Sequence, residues 1–325
     1  MRIRLFAISL ALFIVSSSSI LAAPVITRVN PAAIRAGGES TITILGSGLL
    51  PAPRLVATFP IEKQELQPAA AGNKLVFKVT VAEDVPTGIH GIRIRSASGN
   101  SNLLAVAVDR LAQETFSAQI ASLPVALNGQ LAGGQILETT FSGSKGQRVV
   151  VDVEARRLGS MARPVIRLLD ARGTQLAWSP PQLFLIGDAR CELELPADGI
   201  YTIHLHDVLY KSPQPGFFRM KVGNLQYVDV VYPVGVQRGE QASIQLLSAS
   251  PGLAATIDLT AATGSVQPLP IGAEGLFSGS RPFVVLSGHP EVIEEQVDGD
   301  AIQQVAAAPI AINGRLVETG ERDRY

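Results

Sequence analysis

The feature that most constrains this chain is an alternation of period two, in runs too short for anything but strands. Thr41-Ile42-Thr43-Ile44, Leu75 to Val81, Gly91 to Arg95, Val149 to Ala155, Ile200 to Val208 and Phe218 to Val222 place apolar side chains at every second position. Successive side chains of a strand point to opposite faces, so each run reads as a strand with one dry and one wet face. Gly, Pro, Asn or Ser bounds each run, which predicts turns between antiparallel strands. Helical spacing is weak. One stretch, Asp109 to Ile120, predicts a short helix capped by Asp109. So little helix argues against Rossmann, α/β-hydrolase and barrel-enzyme folds. The expected fold class is all-β, built of tandem β-sandwich domains.

Composition supports a folded, turn-rich chain. Of 325 residues 46% are hydrophobic and 17% charged, which disfavours disorder of the whole. The 30 Gly and 21 Pro make up about one residue in six, against about one in eight in average usage. With 27 Lys and Arg against 28 Asp and Glu, and no basic block, the chain carries no electrostatic footprint for nucleic acid. Its length predicts two or three domains.

The N-terminus predicts export. Arg2 and Arg4 precede an apolar run from Leu5 to Val15, then Ser16 to Ser19, then Leu21-Ala22-Ala23 as a small-residue cleavage site. The run is shorter than the ~20 apolar residues a spanning helix needs, so residues 1–23 read as a cleaved signal peptide rather than a retained anchor. Removing Arg2 and Arg4 leaves 25 basic against 28 acidic residues, a net charge of −3. No later segment is long and apolar enough to span a bilayer as a helix. Cys191 is the sole cysteine, so no disulfide within the chain staples the fold. In Cys191-Glu-Leu-Glu-Leu it shares a face with Leu193 and Leu195, which predicts burial. A nucleophile or an intermolecular disulfide are the alternatives.

The chain repeats itself twice. Pro124-Val-Ala-Leu-Asn128-Gly129-Gln-Leu131 returns as Pro309-Ile-Ala-Ile-Asn313-Gly314-Arg-Leu316, 185 residues later. Ile26-Thr-Arg-Val-Asn-Pro31 with Gly38-Glu39 returns as Val228-Asp-Val-Val-Tyr-Pro233 with Gly239-Glu240, about 202 residues later. Two modules therefore alternate.

On these residues two families are suggested. Pro24-Val-Ile-Thr-Arg-Val-Asn-Pro31, Gly37-Gly38-Glu39, Thr41 to Leu49, Pro86-Thr-Gly88 and Gly99-Asn-Ser-Asn102 resemble a TIG (IPT) domain, an immunoglobulin-like sandwich. Leu127-Asn-Gly-Gln-Leu131, Phe141 with Gly146, Pro164 to Asp170 with Gly173, Leu195 to Ile203, Asp207, Tyr210 and Phe218 to Gly223 resemble the bacterial pre-peptidase C-terminal (PPC) domain, a small jelly-roll-like sandwich. Gly134 to Glu138 departs from that pattern by lacking an acidic pair. The resemblance implies a TIG-like domain at 24–110, a PPC-like domain with a short leading helix at 111–223 and a degenerate TIG-like module at 224–287. An acidic linker at 288–307 and the start of a second PPC-like domain at 308–325 would follow. A lone strand cannot bury its apolar face, so the chain is expected to be truncated there.

Candidate chemistry is sparse. His204, His206 and Asp207 form the nearest thing to a metal cluster, since residues two apart share a strand face. Tyr201, Ile203 and Leu205 take the core side, which predicts both histidines on the wet face. Ser142-Gly-Ser-Lys145 fits Ser-x-x-Lys but falls between strand patterns and reads as a hairpin turn. Glu291 to Asp300 reads as a solvated linker, with calcium binding as the alternative, although EF-hand spacing is absent. Trp178, beside Pro180 and Pro181, either plugs one end of a sandwich or stacks on a sugar ring. No Gly-x-Ser-x-Gly or His-Glu-x-x-His motif occurs.

The expectation is therefore an exported, non-catalytic spacer, adhesion or binding segment, with no catalytic residue and no cofactor. Its partner would be a cell-surface polysaccharide or protein. One alternative is the accessory region of a secreted peptidase whose catalytic domain lies outside this chain. Another is a carbohydrate-binding module.

Overall fold

The computed structural model describes residues 22–325 except 69, 250–254, 261, 270–276, 280–281, 296–301, 306 and 317–325. The predicted signal peptide thus lies almost wholly outside the described residues. The alternating runs all form strands, and three apolar cores lie between paired sheets.

In the first unit, strands Val25–Asn30, Gly38–Ser47, Lys74–Val81 and Lys63–Leu66 make one sheet. The second sheet holds Ala33–Arg35, Leu104–Asp109, Gly88–Ser96 and Arg54–Ala57. Ile42, Ile44, Leu75, Phe77 and Val79 face Ile92, Ile94, Val106 and Val108 across the sandwich, all fully buried. Each such side chain contributes roughly 1.5–3 kcal/mol by leaving water.

The middle unit packs the sheet Gln113–Thr115, Val125–Gln130, Phe217–Gly223, Arg148–Glu154 and Ala189–Glu194 on the sheet Ile136–Gly143, Gly199–Asp207, Pro164–Leu169 and Gln175–Ser179. Val149, Val151 and Val153 meet Ile166, Leu168, Ile203 and Leu205 in its core. Cys191 sits in this core, as the alternation predicts. Tyr201 stacks on Phe141, and its hydroxyl donates to the Ala197 carbonyl at 2.6 Å.

The third unit has strands Val228–Tyr232, Gln241–Ala249 and Ala255–Asp258 in one sheet and Gly235–Gln237, Phe283–Ser287 and Val266–Pro268 in the other. Val236, Ile244, Leu259, Leu269, Val284 and Leu286 fill it.

Both sequence repeats reappear as repeated pairings. Val29 pairs with Ile44 and Asn30 with Thr43; 202 residues on, Val231 pairs with Leu246 and Tyr232 with Gln245. Ala33–Arg35 runs parallel to the strand ending at Asp109, and Gly235–Gln237 runs parallel to Val285–Ser287. Gln113 pairs in parallel with Ala126, and Glu291 with Ala311, so the Ala126 and Ala311 strands keep the 185-residue offset while their partner strands do not.

Several expectations are corrected. Residues 109–120 form no helix: Gln113–Thr115 is a strand, and the Asp109 carboxylate accepts the Leu111 N–H but is also spent on Arg219. The reason is tertiary, since an edge of the middle sheet is open to this segment and satisfies its backbone. The acidic stretch is not wholly linker, because Glu291–Ile293 pairs with Ala311–Asn313. The latter strand is therefore not alone: Asn313 is buried and accepts the Tyr232 hydroxyl on its carbonyl at 2.8 Å. Residues 296–300 of the calcium candidate lie outside the described residues.

Candidate functional site

The outer face of the five-stranded sheet was expected to be wet, and it is not. Alternation turns Asp152 and Glu154, Arg190, and Arg219 and Lys221 outward from three adjacent strands. The segments that enter and leave the middle unit, and part of the third unit, then cover them. Arg219 and Lys221 are each 1% exposed and Asp152 is fully buried.

Arg219 donates to Asp109 of the first unit at 2.7 Å and to Glu154 at 2.9 Å. Lys221 Nζ lies 2.6 Å from Glu154 and 3.5 Å from Asp152. Asp152 takes Arg157 at 2.5 Å and accepts the Ser278 hydroxyl of the third unit. Arg190 lies under the Tyr227 ring, 4.1 Å from its centroid, and donates through both terminal nitrogens to Asp229, at 2.7 Å for the closest contact. Asp188 gathers the 155–157 turn by accepting the backbone N–H groups of Ala155, Arg156 and Arg157 and the Arg157 side chain.

Burial alone would raise the Glu154 carboxyl, but Lys221, then Arg219 and Arg157, outweigh it and hold it down to about 2. Asp152 feels the same burial and is held well below the usual range by Arg157, Lys221 and Arg190. These two carboxyls are therefore ionised at neutral pH, whereas at Asp188 burial outweighs Arg157 and the backbone donors and raises the carboxyl. Buried charges persist only when paired and hydrogen-bonded, and here the pairs cross from one unit to the next. Sequence reasoning missed these residues. The opposite charges of Val151-Asp-Val-Glu154 and Phe218-Arg-Met-Lys221 are visible in the chain, but their adjacency needs the strand order.

Two clefts flank the network. One, of about 350 Å³, lies between strand Val25–Asn30 of the first unit and the Gln113–Thr115 edge of the middle sheet. The other, of about 510 Å³, is apolar and is lined by Phe184, Ile186, Val230, Val234 and Phe283. The loop bearing Leu183, Phe184 and Ile186 exposes all three, with Ile186 in the left-handed region at φ 58°.

The candidates from sequence are scattered. His204 and His206 share a strand but not an environment. His204 Nε2 faces Glu138 at 3.3 Å. His206 is not on a wet face: it is 3% exposed, stacked on Tyr210 with ring centroids 4.4 Å apart, because the 208–212 turn folds back over it. Asp207 accepts the backbone N–H groups of Arg163, Leu209 and Lys211. Burial opposes its ionisation, and those N–H groups overcome this and lower its carboxyl. Its acceptor capacity is spent on the turn. Among the described residues no group of three or more His, Cys, Asp or Glu is placed to hold a metal ion. Trp178 does not plug the sandwich: it stands 57% exposed on the edge strand Gln175–Ser179, because the core is filled without it. Ser142 and Gly143 end strand Ile136–Gly143 and Lys145 lies in the turn that follows, its N–H donated to Asp198 at 2.8 Å.

Residues 23–108 match the family model described as "Quinohemoprotein amine dehydrogenase, alpha subunit domain III". The motifs of that segment suggest a TIG domain, which this match does not confirm. The matched segment has no cysteine or methionine and one histidine, His90, whose Nε2 lies 2.8 Å from the Pro86 carbonyl. These residues do not fit a haem, whose iron takes His, Met, Cys or Tyr as axial ligands and whose attachment motif needs two cysteines.

Comparison with the curated proteins finds no match. Among solved structures the chain is similar to PliG, a periplasmic inhibitor of g-type lysozyme from Aeromonas hydrophila. The identity is 16%, over 34% of this chain and 98% of that one, with a TM-score of 0.27. It is similar to SGBP-B of a Bacteroides ovatus mixed-linkage glucan utilization locus at 11% identity, over 58% and 71% of the two chains, TM-score 0.21. It is also similar to the secreted serine protease VesC of Vibrio cholerae at 8% identity, over 59% and 47%, TM-score 0.22. At such scores the likenesses bear on neither activity nor partner.

Proposed function

We propose that the chain is a non-catalytic segment of an exported protein, a rigid string of β-sandwich units that spaces and presents binding surfaces. The observation that carries this reading is the buried charge network. Asp109 of the first unit, Asp229 and Ser278 of the third, and Arg219, Asp152 and Arg190 of the middle unit interlock through residues almost without solvent contact. Units joined by loose linkers move relative to one another by default. Units joined by ion pairs that cannot be exposed singly at low cost move as one body. Binding residues then sit on loops and clefts of a fixed frame.

Spin labels test the frame. Cysteines replacing exposed Lys63, Lys145 and Gln241, one in each unit, would be labelled in pairs, the native Cys191 being buried. Narrow distance distributions between units are the expected outcome. Broad ones would overturn the rigid-string reading. Metal-independent hydrolysis of peptide or glycan by the pure protein would overturn the non-catalytic part.

A further inference from the structure

The smaller of the two clefts contains a cation whose hydrogen-bonding capacity is mostly unused among the described residues. Arg28 lies on strand Val25–Asn30 and reaches toward the middle unit, its guanidinium 5.8 Å from the Phe217 ring centroid. Its Nη2 has one partner among the described residues, the Gln130 amide oxygen at a long 3.4 Å. Its Nε is shielded from solvent and donates to no protein group. Arg28 makes no ion pair among the described residues, whereas Arg157, Arg190 and Arg219 at this junction are each paired.

A shielded N–H that meets no acceptor is destabilising, so such a site favours whatever supplies one. Nε and Nη2 lie on one edge of the planar guanidinium, and two donors on one edge match the two oxygens of a carboxylate.

The rest of the lining mixes amides and a hydroxyl with apolar side chains, and its charged members are Glu114 and Arg219. Asn128 donates its amide N–H to Gln113 and to the Glu114 carbonyl, which leaves its Oδ1 with no donor among the described residues. Gln130 is fixed by donating to Gln214 at 2.8 Å. Thr115 and Asn30 bring a hydroxyl and an amide to the rim. Phe217 supplies an apolar wall. Arg219, also in the lining, is neutralised by Asp109 and Glu154. Glu114 is exposed and, by strand alternation, leans to the face opposite Gln113.

We infer that this cleft binds a carboxylate-bearing saccharide unit of the uronate class. With the partly exposed Arg28 side chain turned so that Nε is uncovered, the carboxylate would sit side-on against it, the ring hydroxyls on Asn128, Asn30 and Thr115, and the C–H face toward Phe217. The volume of about 350 Å³ is at the small end for ligand pockets and suits one or two sugar rings. The inference rests on the reading of the chain as a binding segment, and it names a substrate class for one cleft of that frame.

Calorimetric titration of the full chain with hexagalacturonate tests it, with cellohexaose as the neutral control and acetate as the bare carboxylate. Hexagalacturonate should bind, and both controls should bind at least about tenfold more weakly. Arg28→Met should lose about tenfold or more in affinity. Gln130→Glu, which sets a carboxylate against Arg28 from within the chain, should do the same while keeping the fold. Absence of binding, undiminished binding by both variants, or acetate binding as tightly as the saccharide would each overturn the inference. The spin-label distances judge the rigid frame separately, so failure of one reading is distinguishable from failure of the other.

Discussion

Asp109 and Arg219 lie 110 residues apart in the chain and 2.7 Å apart in the fold. Asp109 ends the last strand of the first unit, and Arg219 sits on a central strand of the middle sheet. Their contact fixes how one sandwich meets the next. Removing the cation leaves Asp109 buried without its ion partner and Glu154 with Lys221 alone, which costs about 3–5 kcal/mol. Arg219→Met should therefore lower the denaturant midpoint strongly, measured by chemical unfolding. A quadruple replacement of Asp109, Glu154, Arg219 and Lys221 by apolar residues of similar volume should cost much less, since it removes the charges with their desolvation and leaves Asp152 paired with Arg157 and Arg190. A quadruple variant as unstable as the single one would contradict this account.

Acid should loosen the same junction. Glu154 has its folded value depressed from 4.5 to about 2, and Asp152 is depressed well below 3.8. A depressed carboxyl stabilises the fold fully above its unfolded value and loses that contribution as pH falls toward its folded value. Thermal unfolding should be insensitive to pH from about 5 to 8 and should fall steeply between about 4.5 and 2. The Glu154 share is on the order of 3 kcal/mol. Glu154→Gln should be less stable at pH 7 and show a shallower acid slope. A wild-type curve flat down to pH 2 would refute the linkage.

Cys191 should be silent toward thiol reagents in the native protein. Burial first, and the Asp152 charge second, push its thiol up to about 12, so almost no thiolate exists at pH 8. Reaction with an aromatic disulfide should be negligible in buffer and complete in guanidinium. Rapid native labelling would show that the core around Val151 and Cys191 opens.

Trp178 is the only tryptophan, so emission reports one site. Its position on an edge strand, paired opposite Arg167, predicts emission typical of a solvated indole and efficient quenching by iodide. Trp178→Ala should change stability by less than about 0.5 kcal/mol, as at an ordinary surface position. A blue-shifted, unquenched spectrum would restore the plugging role.

Much of the fold was legible because strand alternation depends only on neighbours in sequence. Ile42, Phe77, Val151 and Ile203 could be placed in cores from their own runs. The repeats were legible for a similar reason: Asn128 and Asn313 occupy matching positions in parallel pairs. What escaped is whatever depends on two segments meeting. Asp152 and Glu154 read as solvent-facing because alternation cannot see Asp109, Asp229 or Ser278 arriving from outside. His206 read as wet because its own strand says nothing of the turn that lays Tyr210 on it. Arg28 carried no sequence signal, since an arginine after Thr27 on an edge strand is commonplace until its missing partner is seen.

Asn313 should hold the last described strand in place. Its Oδ1 accepts the N–H groups of Val234 at 3.1 Å and Gly235 at 2.9 Å, and its Nδ2 donates to Glu291 at 2.8 Å. Asn313→Ala strips two backbone donors of their acceptor and should cost about 1–3 kcal/mol. Asn313→Asp keeps the acceptor but sets a second carboxylate beside Glu291, so its cost should grow as pH rises above about 4–5 and shrink in acid. Hydrogen exchange of residues 311–313 and 234–235 reads both effects. Protection there that is unchanged in Asn313→Ala would mean that backbone pairing with Glu291–Ile293 suffices to hold the strand, and that the side chain is incidental.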